Sequence, residues 1–152
     1  MAKKSYVLHT KDAYIKWRTR DENGGERLCG TLLIWRRKVA KDVIVPRGVE
    51  IIGKGCFQSS IGSVVLPSSV TEIKDFAFDI CNGGVWIPRS VVKISKYAFG
   101  DLEWRSAVLQ KAVEEGVLKN PNPPIVQSVI KTPQNSTAHI FAAEHGIPFE
   151  LV

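Results

Sequence analysis

The side chains of this chain that could carry acid–base or metal chemistry are three histidines, three cysteines and scattered carboxylates. His139 lies five residues before Glu144 and six before His145, so neither pair has the i, i+4 spacing that shares one face of a helix. Glu114 and Glu115 are adjacent and diverge on a helix. No glycine-rich phosphate loop and no Ser-His-Asp or Cys-His pattern is present. The sequence therefore predicts that the chain is not an enzyme.

The cysteines Cys29, Cys56 and Cys81 are odd in number and lie far apart in the chain. This spacing indicates neither a disulfide framework nor a zinc site. We expect Cys56 and Cys81 to be small buried hydrophobic residues. The sequence therefore predicts no metal and no cofactor.

The whole chain has a net charge of +6, and its positive charge is concentrated near the start. Residues 1–41 hold eleven Lys or Arg against four Asp or Glu. Tyr14, Trp17 and Trp35 lie among them and could stack on bases. One hypothesis is therefore an anionic partner, nucleic acid included, which predicts salt-dependent binding that a gel shift at low salt would detect. The alternative is a solvated edge strand that its charges keep from aggregating. The candidate anion-binding residues are Lys16, Arg18, Arg20, Arg36, Arg37 and Lys38.

A repeat of 21 residues organises the centre of the chain and must position any binding surface. Val43–Phe57, Val64–Phe78 and Val85–Phe99 share one pattern, apolar-x-apolar-Pro followed by valine, isoleucine and a closing small residue with phenylalanine. A unit this short cannot bury its own apolar face, so it must stack on its copies. We expect a solenoid in which the three closing phenylalanines form one interior row.

The first strand of each repeat predicts an inner and an outer face. Side chains alternate along a strand, so the residues on either side of Ile44, Val65 and Trp86 should point inward and these three outward. An exposed Ile-Val-Trp column favours a binding or self-association site. The alternative is that the column is covered by the N-terminal hairpin or by a helix over residues 102–118.

Two pairs of basic residues recur at equivalent repeat positions. Arg47 and Arg89 follow the strand prolines, and Lys54 and Lys96 follow the second segment. Stacking would separate the members of each pair by about 10 Å, two strand spacings, which suits two phosphates or carboxylates. The alternative is that they form a solvated edge of the coil.

The flanks of the array predict the remaining elements of one domain, residues 1–152. Alternation over residues 13–20 and 28–35, around a turn at 21–25, predicts a hairpin that covers the first coil. An apolar stripe of Ala107, Val108, Leu109, Ala112 and Val113 is compatible with the helix over 102–118. The predicted divisions are an N-terminal cap (1–41), three repeats (43–99), an irregular helix and linker (101–128), and a C-terminal cap (129–152) with a helix that begins after Ser136.

The repeat pattern resembles that of the BspA-type leucine-rich repeats. Ile52-Gly53 keeps that family's glycine, Cys81 its cysteine after Ala-Phe, and residues 136–149 resemble the short C-terminal segment of such arrays. The resemblance implies a mostly β, right-handed solenoid with short helices and a parallel sheet. It also implies a role in protein recognition or adhesion, often at a surface, and no catalytic residues.

We therefore predict a leucine-rich-repeat solenoid with an N-terminal β-hairpin cap and a C-terminal helical cap. The leading functional hypothesis is a non-enzymatic module that binds another protein through Ile44, Val65, Trp86, Arg47 and Arg89, as a binding, adaptor or inhibitor protein. A homodimer and binding of nucleic acid or an anionic surface are the rival hypotheses. No apolar run reaches the ~20 residues that a membrane span needs, and no secretory signal follows the start. These features favour a cytoplasmic location and no membrane partner; the resemblance keeps secretion and the cell surface open.

Overall fold

The computed structural model describes residues 5–9, 13–22, 25–35, 42–59, 62–120 and 128–152. Strands dominate it, and they form two sheets. Sheet 1 has five strands in the order β4-β6-β8-β10-β11, and sheet 2 has six in the order β1-β2-β3-β5-β7-β9. The elements are β1 (Ser5–His9), β2 (Ala13–Glu22), β3 (Gly25–Trp35), β4 (Val43–Ile44), β5 (Val49–Ile52), β6 (Val64–Val65), β7 (Glu72–Ile73), β8 (Val85–Trp86), β9 (Lys93–Ile94), α1 (Leu102–Glu114), β10 (Ile130–Thr132), α2 (Thr137–His145) and β11 (Phe149–Leu151).

Each repeat contributes one short strand to each sheet. Proline follows the first strand closely because it has no N–H for the ladder. Its carbonyl then accepts the N–H of the valine three residues later, with N···O distances of 3.4 Å at Pro46, 3.1 Å at Pro67 and 3.2 Å at Pro88. This turn directs the chain into the second strand, which runs along a second side of the coil.

Neighbouring coils are in register at 21 residues. Val43 pairs with Val64 and Val64 with Val85 in parallel ladders of sheet 1, and Ile52 pairs with Ile73 in sheet 2. The closing turns are bonded in the same register, because the Phe57 N–H donates to the Ala77 carbonyl at 2.8 Å. Backbone hydrogen bonds therefore join the coils along both strands and along the turn.

The phenylalanines at the end of each repeat form the predicted interior row. Phe57, Phe78 and Phe99 are buried, with ring centroids 5.5 and 5.4 Å apart. Phe141 of α2 extends the row, 6.2 Å from Phe99. Valines, isoleucines and Leu66 fill most of the remaining core, together with small buried cysteines and alanines.

The structure confirms that Cys56 and Cys81 are small buried residues. Cys56 occupies the position of Ala77 and Ala98 in the other coils, and all three are buried. Burial raises the pKa of the Cys56 thiol well above its ordinary value, because the apolar core disfavours the thiolate. Cys56 therefore acts as a core residue rather than a nucleophile.

The N-terminal residues form the predicted hairpin, since β2 and β3 pair antiparallel. β1 adds to the outer side of β2, and β3 pairs in parallel with β5 of the first coil. Lys16 and Arg18 lie where β2 pairs with both β1 and β3, so the edge-strand explanation is wrong for these two charges. Arg20 lies beyond the pairing with β1, and for it the edge-strand explanation stays a prediction. Residues 36–38, with the other three candidate basic residues, lie outside the described ranges. Binding of an anionic partner by the N-terminal segment stays a prediction.

Both helices begin at side-chain caps. The Asp101 carboxylate accepts the Trp104 N–H at the start of α1, and the Ser136 hydroxyl accepts the His139 N–H at the start of α2, each at 3.1 Å. α2 ends at His145 and is capped by Gly146, whose φ of +67° suits a residue without Cβ. α1 ends at Glu114, earlier than predicted, and none of its residues is fully buried. The predicted apolar stripe therefore does not pack as a core face.

We expect Gly83→Ala to destabilise the fold because it would force two coils apart. A Cβ at Gly83 would lie 2.0 Å from the backbone carbonyl oxygen of Gly62 in the preceding coil. We expect urea unfolding, followed by circular dichroism, to show a loss of about 1–3 kcal/mol.

Gly84→Ala is the matched control, since the nearest atom is the flexible Cε of Lys131 at 3.4 Å. The two substitutions change the unfolded chain alike, so only the clash should separate their stabilities, and Gly84→Ala should cost less than about 1 kcal/mol. Equal stabilities of the two variants would contradict the observed packing of the coils.

Candidate functional site

The outward residues of β4, β6 and β8 form a column across sheet 1. Ile44 is in register with Val65, and Val65 with Trp86. Ile44 is 77% exposed, Val65 is half-buried and Trp86 is 38% exposed, whereas the residues on either side of them in the chain are buried. Strand alternation therefore produces the predicted inner and outer faces.

Two charged residues that the sequence analysis missed continue this column. Lys131 of β10 is in register with Trp86, and Glu150 of β11 is in register with Lys131. The Lys131 ammonium lies 4.9 Å from the centre of the Trp86 ring and 3.7 Å from a Glu150 carboxylate oxygen. The ammonium interacts with the face of the ring and restrains it. The sequence does contain a signal for this position. Ile130-Lys131-Thr132-Pro133 has the same apolar-x-x-Pro pattern as the first strands of the repeats, but it begins 45 residues after the third of them instead of 21.

A row of prolines lies beside the column on the same face. Proline lies two residues beyond the column residue, just after each of β4, β6, β8 and β10, so the alternation of the strand, continued by one step, directs it to the outer side. Each of these prolines is exposed or half-buried. The row widens the apolar surface without adding flexible side chains. Its members are Pro46, Pro67, Pro88 and Pro133.

Arginines lie at the rim of this surface. Arg47 and Arg89 each follow the proline at the end of a first strand, and both are exposed. The coil between them has Ser68 at the same repeat position. One Arg89 Nη donates to the Gln134 carbonyl oxygen at 3.0 Å. We call Ile44, Val65, Trp86, the four prolines and the two arginines the sheet 1 face.

The acidic residues beside the sheet 1 face already have partners. Asp42 accepts hydrogen bonds from the Ser63 N–H at 3.1 Å and the Ser63 hydroxyl at 2.6 Å, and these bonds lower the pKa of the Asp42 carboxyl. Glu150 lies near the Lys131 ammonium. Asp42 and Glu150 stay negatively charged, and Arg47, Arg89 and Lys131 bring three positive charges to the same side of the sheet.

Helix α1 is attached elsewhere and does not bury the column. Arg105 forms a short ion pair with Asp79 of the second coil and donates to the Phe99 carbonyl oxygen at 3.3 Å. Trp104, one residue earlier, is 66% exposed. Since Trp86 and Ile44 are exposed, the alternative that α1 covers the column is wrong.

The lysines on the other side of the coils have aromatic or acidic partners. Lys54 lies 5.9 Å from the Phe76 ring centre, and Lys96 lies 4.7 Å from the Tyr97 ring centre. The pKa of the Lys96 ammonium is raised, mainly by a hydrogen bond with Tyr97. On the adjacent strands Glu72 contacts Lys74 at 2.8 Å and Lys93 at 3.5 Å, and the hydrogen bond from Lys74 is the main cause that lowers the pKa of the Glu72 carboxyl.

Two of the histidines, His139 and His145, make local hydrogen bonds. His139 Nδ1 accepts the Asn135 N–H at 2.9 Å, and His145 Nδ1 lies 2.9 Å from the Phe141 carbonyl oxygen. Across the described ranges, no group of three or more His, Cys, Asp or Glu side chains is arranged to hold a metal ion. Within those same ranges, neither helix has the length and hydropathy of a bilayer span.

Comparison with known proteins identifies the family of this chain. Residues 36–115 match the family model described as a BspA type leucine rich repeat region (6 copies). The chain therefore belongs to the BspA-type leucine-rich-repeat family, whose repeats generally mediate protein–protein interaction. No curated protein and no solved structure gives a significant match.

We expect Arg105→Ala to loosen α1 while leaving the column unchanged. Hydrogen bonds to charged groups contribute about 1.5–3 kcal/mol, so amide exchange within α1 should accelerate by about tenfold or more. The amides of β6 and β8 should stay protected, and the Trp86 indole N–H resonance should not move.

Lys111→Ala is the control, because Lys111 is exposed and its nearest carboxylate, Glu115, is 3.9 Å away. It should leave amide exchange within α1 close to that of the unmodified chain. A shift of the Trp86 resonance as α1 loosens would mean that the helix covers the column after all.

Proposed function

We propose that this chain is a non-enzymatic protein-interaction module that binds a partner protein through the sheet 1 face. Ile44, Val65 and Trp86 form the apolar centre of the site, and Arg47 and Arg89 form its rim. The family supplies the general role in protein interaction. The choice of this face rests on one observation, the exposed apolar column on a ladder whose inner neighbours are all buried.

The energy that the column can contribute is sufficient for a binding hot spot. Trp86 keeps 38% of its surface in water. For a side chain of up to about 250 Å² this leaves roughly 95 Å² to be buried, or about 2 kcal/mol at 25 cal/mol per Å². Ile44 adds to this amount because most of its side chain is exposed.

The rigidity of the face supports the same role. The column residues stand on paired strands, the prolines restrict the backbone, and Lys131 restrains the Trp86 ring. A partner would therefore lose little free energy in ordering this surface, which favours affinity for a given buried area.

We also infer that the two ends of a right-handed solenoid are covered by the hairpin and by the C-terminal helix. An uncovered end would expose apolar core. The pairing of β3 with β5 at one end and the contact of Phe141 with Phe99 at the other support this arrangement. The predicted right-handedness agrees with the preference for right-handed crossovers between parallel strands. On this proposal residues 1–152 form a single domain. A homodimer would be a second use of the sheet 1 face.

The test is Trp86→Ala, with Trp104→Ala as the matched control. Both tryptophans are exposed, one on the sheet 1 face and one on α1. We expect Trp86→Ala to weaken capture of a partner from an extract of the source cell by about 2 kcal/mol, roughly thirtyfold, as truncation of an interface tryptophan does. Trp104→Ala should bind as the unmodified chain does, and both variants should keep its circular dichroism.

The proposal fails if partner proteins are captured equally by the Trp86→Ala variant and the unmodified chain. It also fails if only Trp104→Ala loses them, since the site would then lie on α1. Light scattering on the same variants reports whether the partner is a second copy, because Trp86→Ala would then reduce the molar mass.

A further inference from the structure

We propose that the partner segment is acidic as well as apolar, and that it places two carboxylates on Arg47 and Arg89 while its apolar side chains cover Ile44, Val65 and Trp86. The inference rests on the proposed function of the sheet 1 face and names the chemistry of the partner. It is carried by the distribution of charge over that face.

The two carboxylates beside the sheet 1 face, Asp42 and Glu150, have partners within the chain, whereas most donors of its two arginines do not. Asp42 is bonded by Ser63, and Glu150 is paired with Lys131. Arg47 has no hydrogen-bond or ion-pair partner among the described residues. Arg89 gives one Nη to the Gln134 carbonyl, which leaves most of the five N–H donors of a guanidinium for another acceptor. Because a guanidinium has donors and no acceptor, a partner that pairs with Arg47 and Arg89 must bring acceptors.

The spacing of the two arginines defines how the carboxylates should be arranged. Two strand spacings separate them by about 10 Å, so one carboxylate cannot reach both. A helical segment presents residues i and i+7 on one face about 10.5 Å apart, and an extended segment spans about 10 Å in three residues. The guanidinium fork accepts a carboxylate through two parallel hydrogen bonds, which explains arginine at both positions.

The apolar column and the positive rim have different expected roles. Burial of Trp86 and Ile44 would supply affinity, whereas rim charges mainly set association rate and partner choice. An acidic segment without apolar side chains would be held only by screened surface charges, and a purely apolar one would gain nothing from Arg47 and Arg89.

The experiment selects peptides on the whole chain. A displayed library of random twelve-residue peptides is enriched on the immobilised unmodified protein and depleted on its Trp86→Ala variant. We expect the surviving sequences to combine apolar residues with at least two Asp or Glu. The best peptide should then bind the Arg47→Glu/Arg89→Glu variant with an association rate at least about tenfold lower.

The matched control is Lys54→Glu/Lys96→Glu, which changes the net charge equally on residues that contact Phe76 and Tyr97 elsewhere on the coils. It should leave the association rate of the selected peptide within about twofold at 0.15 M salt, because the Debye length is then about 8 Å. An equal loss in both double variants would mean that only net charge matters, and it would overturn the proposal.

The remaining outcomes separate this inference from the function on which it rests. Selected peptides that need Trp86 but are neutral or basic would overturn the acidic partner and leave the proposed function standing. If no selected peptide binds the unmodified chain better than the Trp86→Ala variant, the result would count against both the acidic partner and the proposed function.

Discussion

Backbone hydrogen bonding between coils in a 21-residue register is the constraint on which the remainder of the structure depends. A coil of two short strands and a turn cannot satisfy its own backbone groups, so it bonds to the next coil along both strands and the turn. The same register stacks the rings of Phe57, Phe78 and Phe99 and brings Gly62 against Gly83. A shift by one residue in a strand would move its inward residues to the solvent face.

The same register converts a repetitive sequence into a surface with one distinctive patch. Positions that are equivalent in sequence become lateral neighbours, so three different residues, Ile44, Val65 and Trp86, form one column. The core accepts little variation at inward positions because it is tightly packed. Outward positions are free to differ between coils, and they change from isoleucine at one edge to lysine and glutamate at the other.

The repeat made most of the central fold predictable. The proline after each first strand predicts where the strand ends. The fixed period of 21 residues predicts the register, the buried rows and the outer column. The sequence pattern does predict a strand that ends at Pro133, but it does not place Lys131 and Glu150 beside Trp86, because residues 101–128 interrupt the 21-residue period that sets the register. The role of α1 was also missed. Its attachment includes an ion pair between Arg105 and Asp79, 26 residues apart, which no periodicity signals.

The most direct test of this account is a nuclear Overhauser spectrum of the aromatic and methyl protons of the protein in solution. Stacking in register predicts contacts from the Val65 methyl groups to both Ile44 and the Trp86 ring, together with contacts from the Phe78 ring to both Phe57 and Phe99. A Val65 that contacts neither neighbour, or a Phe78 ring without the other two phenylalanines beside it, would contradict the register and with it the column that forms the proposed site.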